Sequence, residues 1–249
     1  MRTIDQRWLR IAIYFVIALS SSFLFRLNLI GSYDNWKLPG ILSLYKGWLE
    51  GAGPFLGALI VTWLFRRKSE MSFTGILGSR SWLMMGLPVL LLLIVGVNND
   101  QQINPHVYGL NMGIWIVVYG ILEETGWRGY LQDELKDYHP AWKYVIVGIF
   151  WYTWHLTFLG HTNVVNELAI LAILIFASYG IGVIADRTKS IIAAGCFHII
   201  GNIMGLSTEM QKALSMQTRI WILLACVLGW VLLIRNARRR KMVEELNKI

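Results

Sequence analysis

Residues 107–132, VYGLNMGIWIVVYGILEETGWRGYLQ, form an apolar run long enough to cross a bilayer, and they carry Glu123, Glu124 and Arg128 within it. A helix needs about 20 such residues to span about 30 Å of hydrocarbon. A carboxylate placed in that layer costs roughly 2.5 kcal/mol or more, so intramembrane acids tend to be functional. Glu124 and Arg128 are spaced i,i+4 with the acid on the N-terminal side, the favourable order for a helical ion pair. Neighbouring residues on a helix point about 100° apart. Glu123 therefore aims away from that pair and is free for general-base work. The bland alternative is a helix end at which all three groups snorkel to water.

The rest of the chain extends this reading. Of 249 residues, 55% are hydrophobic and 15% charged, well below the quarter charged usual in a soluble domain. The apolar residues crowd into continuous runs rather than short alternating segments, which excludes an outer-membrane β-barrel. We expect an all-α, polytopic transmembrane helical bundle of about eight spans, near 8–27, 44–65, 81–98, 107–132, 142–160, 164–185, 190–206 and 218–235. The connections leave no room for a separate soluble domain, so residues 1–249 read as one integral-membrane domain. Arg2, Arg7 and Arg10 before the first run resemble a signal peptide, but no soluble domain follows and an uncleaved span is expected.

Lys and Arg set the orientation. They cluster at the N-terminus, at Arg66–Lys68 and Arg80, at Lys136 and Lys143, at Arg187 and Lys189, and at Arg235–Lys241. The alternate connections 99–106 and 160–164 have none. Every basic cluster thus falls on one side, predicting cytoplasmic termini. The net charge of +8 is explained by this placement, with no nucleic-acid partner implied. The tail Arg235–Lys241 suits anionic lipid headgroups. Trp48, Trp63, Trp82, Trp142 and Trp221 lie near span ends, where indoles favour the interface. Gly120, Gly126 and Gly129 permit close helix approach around the acids, and Pro54 and Pro88 are kink positions within spans. Cys196 and Cys226 have no metal or redox spacing and read as buried, reduced filler.

Two later runs carry histidine. His155 ends an aromatic stretch, Phe150–Trp154, with Trp151 one turn before it on the same face. His198 and Asn202 lie i,i+4 in the seventh run and share a face; both can donate hydrogen bonds, as a developing oxyanion requires. Either motif alone could be helix–helix glue. His106 and His161 fall in outer connections, where solvation is expected, and His139 precedes Pro140 in a turn.

Taken in order, these motifs resemble those of the CAAX protease and bacteriocin-processing (CPBP or Abi) family of intramembrane proteases, over roughly 107–206. Two glutamates, three residues and an arginine are matched by Glu123–Arg128. A phenylalanine four before a histidine maps to Trp151 and His155, with Trp in place of the usual Phe. A histidine four before an amide is matched by His198 and Asn202. The resemblance implies a helical core whose cavity opens to the cytoplasm and the bilayer. It implies that Glu123 and His155 deprotonate a water, that His198 and Asn202 stabilise the oxyanion, and that Glu124 and Arg128 support them. The Trp-for-Phe change should alter packing around His155 more than chemistry.

The expected activity is therefore that of an intramembrane endopeptidase acting on membrane-associated peptides or protein tails, lipidated or not, in a bacterial inner membrane. No cofactor is required by that reading. A metalloprotease alternative would place Zn²⁺ on Glu123, His155 and His198 with a water in the open position, although no HExxH spacing exists. Two non-proteolytic alternatives are a membrane scaffold or bacteriocin-immunity protein, and a proton-coupled transporter.

Overall fold

The computed structural model describes residues 2–27, 36, 38, 40–159, 163–206 and 208–246. His161 lies outside them, as do the side chains of Arg2 and Lys241. The described chain is helical, joined by short connections: α1 (Arg2–Arg26), α2 (Gly47–Leu64), α3 (Arg80–Val95), α4 (Pro105–Gly126), α5 (Pro140–His155), α6 (Val164–Thr188), α7 (Ile191–Gly201), the short α8 (Thr208–Ala213) and α9 (Met216–Leu246). The eight long helices occupy the eight expected apolar runs. Among the described residues, four stretches are long and apolar enough to cross a membrane: Gln6–Arg26, Pro105–Gln132, Val164–Thr188 and Met216–Arg240. Arg80–Val95 and Ile191–Met204 are apolar but shorter. The chain is a multi-pass membrane protein, with fewer full-length spans among the described residues than the eight runs suggest.

Helix ends follow local chemistry. Asn104 caps α4 by accepting from the amides of His106 and Val107, with Pro105 in the first turn. His139 caps α5 ahead of Pro140, so this turn residue has a defined task. Immediately after His155 the chain turns left-handed at Leu156, φ +51°, an uncommon conformation for a non-glycine residue. It stops α5 at the histidine. Ser190 caps α7 through the Ala193 amide, and the preceding connection is clamped by Ser72, which pairs with Lys189 and Ile191 through their backbones.

α4 is the central helix, packed against α2, α3 and α7. The small residues allow this. A Cβ on Gly120 would meet the Gly195 carbonyl oxygen of α7 at 3.0 Å, and one on Gly126 would collide with Pro54 of α2. Two apolar cores result. One gathers Met84, Leu92, Ile116, Cys196, Ile199, Cys226 and Trp230 between α3, α4, α7 and α9. The other gathers Tyr14, Val61, Trp127, Trp151, Trp154 and Ile181 between α1, α2, α5, α6 and the chain just past α4. Both cysteines are free and buried, as expected. Trp63, Trp82, Trp142 and Trp221 are exposed, consistent with interfacial indoles, whereas Trp48 donates to the Trp115 carbonyl.

At one end of the bundle the basic residues meet acids. Arg7 pairs with Asp137, Arg10 and Arg67 both pair with Glu134, Arg67 also reaches Asp133, Glu70 bridges Lys136 and Lys189, and Lys143 holds Asp186. These contacts draw the start of α1, the α2–α3 connection, the α4–α5 turn and the α6–α7 turn together. Four of the basic clusters read from the sequence thus meet in one place, knitted by ion pairs. Among them Glu134 is buried.

Burial alone would raise the Glu134 carboxyl, but hydrogen bonds from Arg10 and Arg67 outweigh it and hold the group below the usual carboxylate range. A depressed folded value contributes stability above the unfolded pKa of about 4.3, and that contribution is lost as pH falls through the folded value. Glu134→Gln should therefore lower the unfolding free energy at pH 7 by about 3 kcal/mol, since two cations lose their shared partner. The deficit should shrink below about pH 4. Thermal melts of the detergent-solubilised protein at both pH values check this.

Candidate active site

Glu123 and Glu124 lie in the last turn of α4, both buried. Beyond them the backbone widens into a π-helix, Trp127–Gln132. A second π segment, Asn202–Leu206, follows α7. Such widened turns are rare and concentrate at functional sites. Here one follows α4 and one follows α7, and the polar residues sit at the seam between the two apolar cores.

Glu124 is the anchor. Its Oε1 accepts from Arg128 Nη1 at 2.6 Å and from His198 Nδ1 at 2.7 Å. The ion pair read from i,i+4 spacing is therefore present, with both side chains fully shielded. Arg128 Nη2 also reaches the Ser178 carbonyl of α6 at 3.5 Å. The His198 contact joins α7 to α4 across 74 residues of sequence. An ionised carboxylate only accepts, so Nδ1 of His198 carries hydrogen. Its Nε2 is left facing Glu123 Oε2, 3.9 Å away.

Glu123 is not unpartnered, contrary to the reading that left it free. Its Oε2 accepts from two indoles, Trp151 Nε1 at 3.0 Å and Trp127 Nε1 at 3.2 Å. Trp in place of Phe therefore adds a donor as well as packing, because phenylalanine has no N–H to donate. Trp127, four residues past Glu123, was not singled out in the sequence; the i,i+4 spacing was the available signal. Tyr119, one turn earlier, also lies near enough to Glu123 to interact with it.

His155 is half-buried at the end of α5. Its Nδ1 lies 2.8 Å from the Trp151 carbonyl, which can only accept, so Nδ1 carries the hydrogen and Nε2 presents a lone pair. Its ring packs against Trp151 and Trp154 at centroid distances of 6.0 and 5.1 Å. Beside it, Arg26 at the end of α1 stacks on Trp154 at 3.9 Å and donates to the Trp154 carbonyl. Asn202 departs from expectation. It opens the π segment rather than continuing α7. It makes no hydrogen bond with the acid–histidine cluster among the described residues. The structure thus brings Glu123, Glu124, Arg128, Trp151 and His198 into one network, joins His155 through Trp151, and leaves Asn202 outside the hydrogen bonds.

A polar cavity of about 460 Å³ lies at the ion-paired end, lined by Arg128, Gln132, Lys136, Lys143, Asp186 and Lys189 among others. Arg128 belongs to both this cavity and the buried network.

Residues 105–204 match the family model described as Rce1-like, Type II CAAX prenyl endopeptidase Rce1-like. This central segment is Rce1-like. No curated protein matches the chain. The Rce1-like segment runs from α4 into the second π segment and contains Glu123, Glu124, Arg128, Trp151, His155, His198 and Asn202. α1–α3 and α9, which supply Pro54 against Gly126 and the ion pairs to Glu134, lie outside it.

The Rce1-like segment holds a testable structural element in Arg128. Removing a buried guanidinium leaves the Glu124 carboxylate without its counter-charge, a loss of about 3 to 5 kcal/mol. Arg128→Met should lower the melting temperature of the purified protein by several degrees at least. A melt indistinguishable from wild type would show that Glu124 does not depend on it.

Proposed function

We propose that the chain is a CAAX-type intramembrane endopeptidase, hydrolysing peptide bonds of membrane-associated peptides or protein tails. The observation that carries this reading is the buried cluster in which His198 Nε2 faces Glu123 while Glu124 and Arg128 hold the other side of the imidazole. With Glu124 paired to Arg128, the uncompensated negative charge of the cluster resides on Glu123. A fixed, desolvated carboxylate of that kind is suited to taking a proton from water. In the proposed reaction Glu123 takes one proton of the attacking water, with the His155 Nε2 lone pair directed at the same molecule. The hydroxide adds to the scissile carbonyl, and the proton passes to the leaving amine.

His198 takes the oxyanion role. Its Nδ1–H is committed to Glu124, so in this reading Nε2 donates to the oxyanion only once the ring has taken up a second proton during the reaction. Asn202 is the second donor in this reading and needs a side-chain reorientation on substrate binding, which the π turn can accommodate. Glu124 and Arg128 are positioning residues. Substrates carrying a lipid would reach the site from the bilayer, and a bacterial inner membrane is the proposed location.

Zn²⁺ is the rival means of activating water, held by Glu123, His155 and His198. Among the described residues no three His, Cys, Asp or Glu side chains gather as donors to one ion. The proposed steps accordingly use none.

Purified protein in liposomes, given a fluorogenic tail peptide with and without a prenyl group, should cleave it. Glu123→Ala and His198→Ala should each lower kcat by at least about a hundredfold, as expected when a general base or oxyanion donor is removed. Chelation should leave cleavage unchanged. Full activity in Glu123→Ala would end the proposal, and activity lost to chelation and restored by Zn²⁺ would replace this mechanism with the metal-dependent one.

A further inference from the structure

Two indole N–H groups converge on a single carboxylate oxygen inside a membrane protein, and the motif reading assigns no role to that convergence. Oε2 of Glu123 accepts from Trp127, on its own helix, and from Trp151, on α5. Tyr119, one turn earlier, also hydrogen-bonds this carboxylate. A carboxylate turns readily about its last side-chain torsion, whose profile is broad and roughly two-fold. Left alone, either oxygen could face the reacting water, and the base would sample both settings. Hydrogen bonds to an ionised acceptor are the strong kind. Indole donates and never accepts, so neither Trp can take the proton from Glu123 or compete as a base.

Trp151 does more than hold one oxygen. Its backbone carbonyl takes the His155 Nδ1–H at 2.8 Å, its ring lies against the His198 ring at 5.0 Å, and the Arg128 guanidinium sits over it at 5.1 Å. One residue thus sets the side chain of the acid, the tautomer of one histidine and the packing of the other. Trp151 and Trp127 are both buried, so no bulk water competes for their N–H groups.

We infer that Trp127 and Trp151 form an indole clamp that fixes the orientation of the Glu123 carboxylate through Oε2, with Trp151 the positioning residue that keeps base and histidines in one register. This rests on the peptidase reading for its kinetic consequence, but the clamp itself is open to a test that needs no turnover.

The first arm reads the hydrogen bond directly. In protein labelled with ¹⁵N at indole nitrogen, the Trp151 N–H resonance, assigned by its absence in Trp151→Phe, should lie downfield and move upfield in Glu123→Gln. A resonance unmoved by Glu123→Gln overturns the clamp whether or not the protein cleaves anything. The second arm reads the consequence. Trp151→Phe keeps a ring and the backbone carbonyl, and should lower kcat about tenfold with KM unchanged. Trp127→Phe combined with it should lower kcat about a hundredfold, the order that a misplaced catalytic group costs. Replacing Trp151 by its benzothiophene analogue removes only the N–H and should reproduce the Trp151→Phe effect without altering the melting temperature. Wild-type kcat in that analogue and in the double variant overturns the inference, while a wild-type protein inert toward peptides would instead count against the peptidase reading and leave the spectroscopic arm to decide on the clamp.

Discussion

The buried Glu124 carboxylate, shared between Arg128 and His198, is the constraint around which the rest of the molecule is arranged. Two adjacent acids at the end of an apolar helix are tolerable only if at least one is neutralised on the spot, because the surroundings offer little solvation. Arg128 does so from the next turn of the same chain. His198 then uses the same oxygen, and in doing so fixes the depth and rotation of α7 against α4. The close Gly120–Gly195 approach follows from this demand, since a 2.7 Å bond between side chains on two helices requires their backbones to come near. The glycines make room, and the ion pair supplies the reason for the room. Such a pair is weak evidence for stability compared with a well-packed apolar substitute, but strong evidence for a fixed geometry.

Seen from there, the two apolar cores are the walls of the site. Trp127, Trp151 and Trp154 belong to one wall, while Ile116, Cys196 and Ile199 belong to the other. The acids and His198 occupy the seam, where neither core alone could enclose them. Exclusion of water on both sides strengthens each hydrogen bond within the cluster and raises the penalty for any group left unmatched. The indoles answer that penalty on the Glu123 side, as Arg128 does on the Glu124 side. The sites of compensation differ in kind: a full positive charge for one acid, two neutral donors for its neighbour. That asymmetry is what distinguishes a supporting carboxylate from one whose charge remains available for chemistry.

Much of this was legible in the residues. The long helices, their common basic end, the glycine-lined approach and the Glu124–Arg128 pair all depend on periodicities of one helix or on composition, which a single chain displays openly. The His198–Glu124 bond was hidden because it links positions 74 residues apart and depends on how two helices rotate. The π segments were hidden for a different reason: Trp127–Gln132 and Asn202–Leu206 carry no residue pattern that separates them from α-helix, and the widened turn is imposed by tertiary fit. The i,i+4 argument held for Glu124 and Arg128 even though Arg128 lies in a π turn, whereas His198 and Asn202 share no hydrogen-bond partner among the described residues. Trp151 was noticed for its place before His155, yet its N–H was overlooked because indoles in membrane sequences are so often interfacial. Trp63, Trp82, Trp142 and Trp221 obey that habit, and the buried ones do not.

The ion pairs at the basic end also bear on why the cluster can stay charged. Arg128 lines the polar cavity shared with Gln132, Lys143, Asp186 and Lys189 while its Nη1 holds Glu124. Its side chain stays fully shielded, yet it borders a polar chamber rather than hydrocarbon. The widened turn Trp127–Gln132 contains Arg128 itself, and Gln132 from the same turn ties into α6 through the Gly182 carbonyl and Asp186. The π segment thus anchors the turn that carries Arg128 against α6. An ideal α-helix over the same residues would rotate the later members of that turn by a sizeable fraction of a revolution, because a π turn carries about one extra residue. The widened turn thus ties the stretch that bears Arg128 to α6 and to the polar chamber, while the i,i+4 spacing itself brings Trp127 to Glu123 and Arg128 to Glu124.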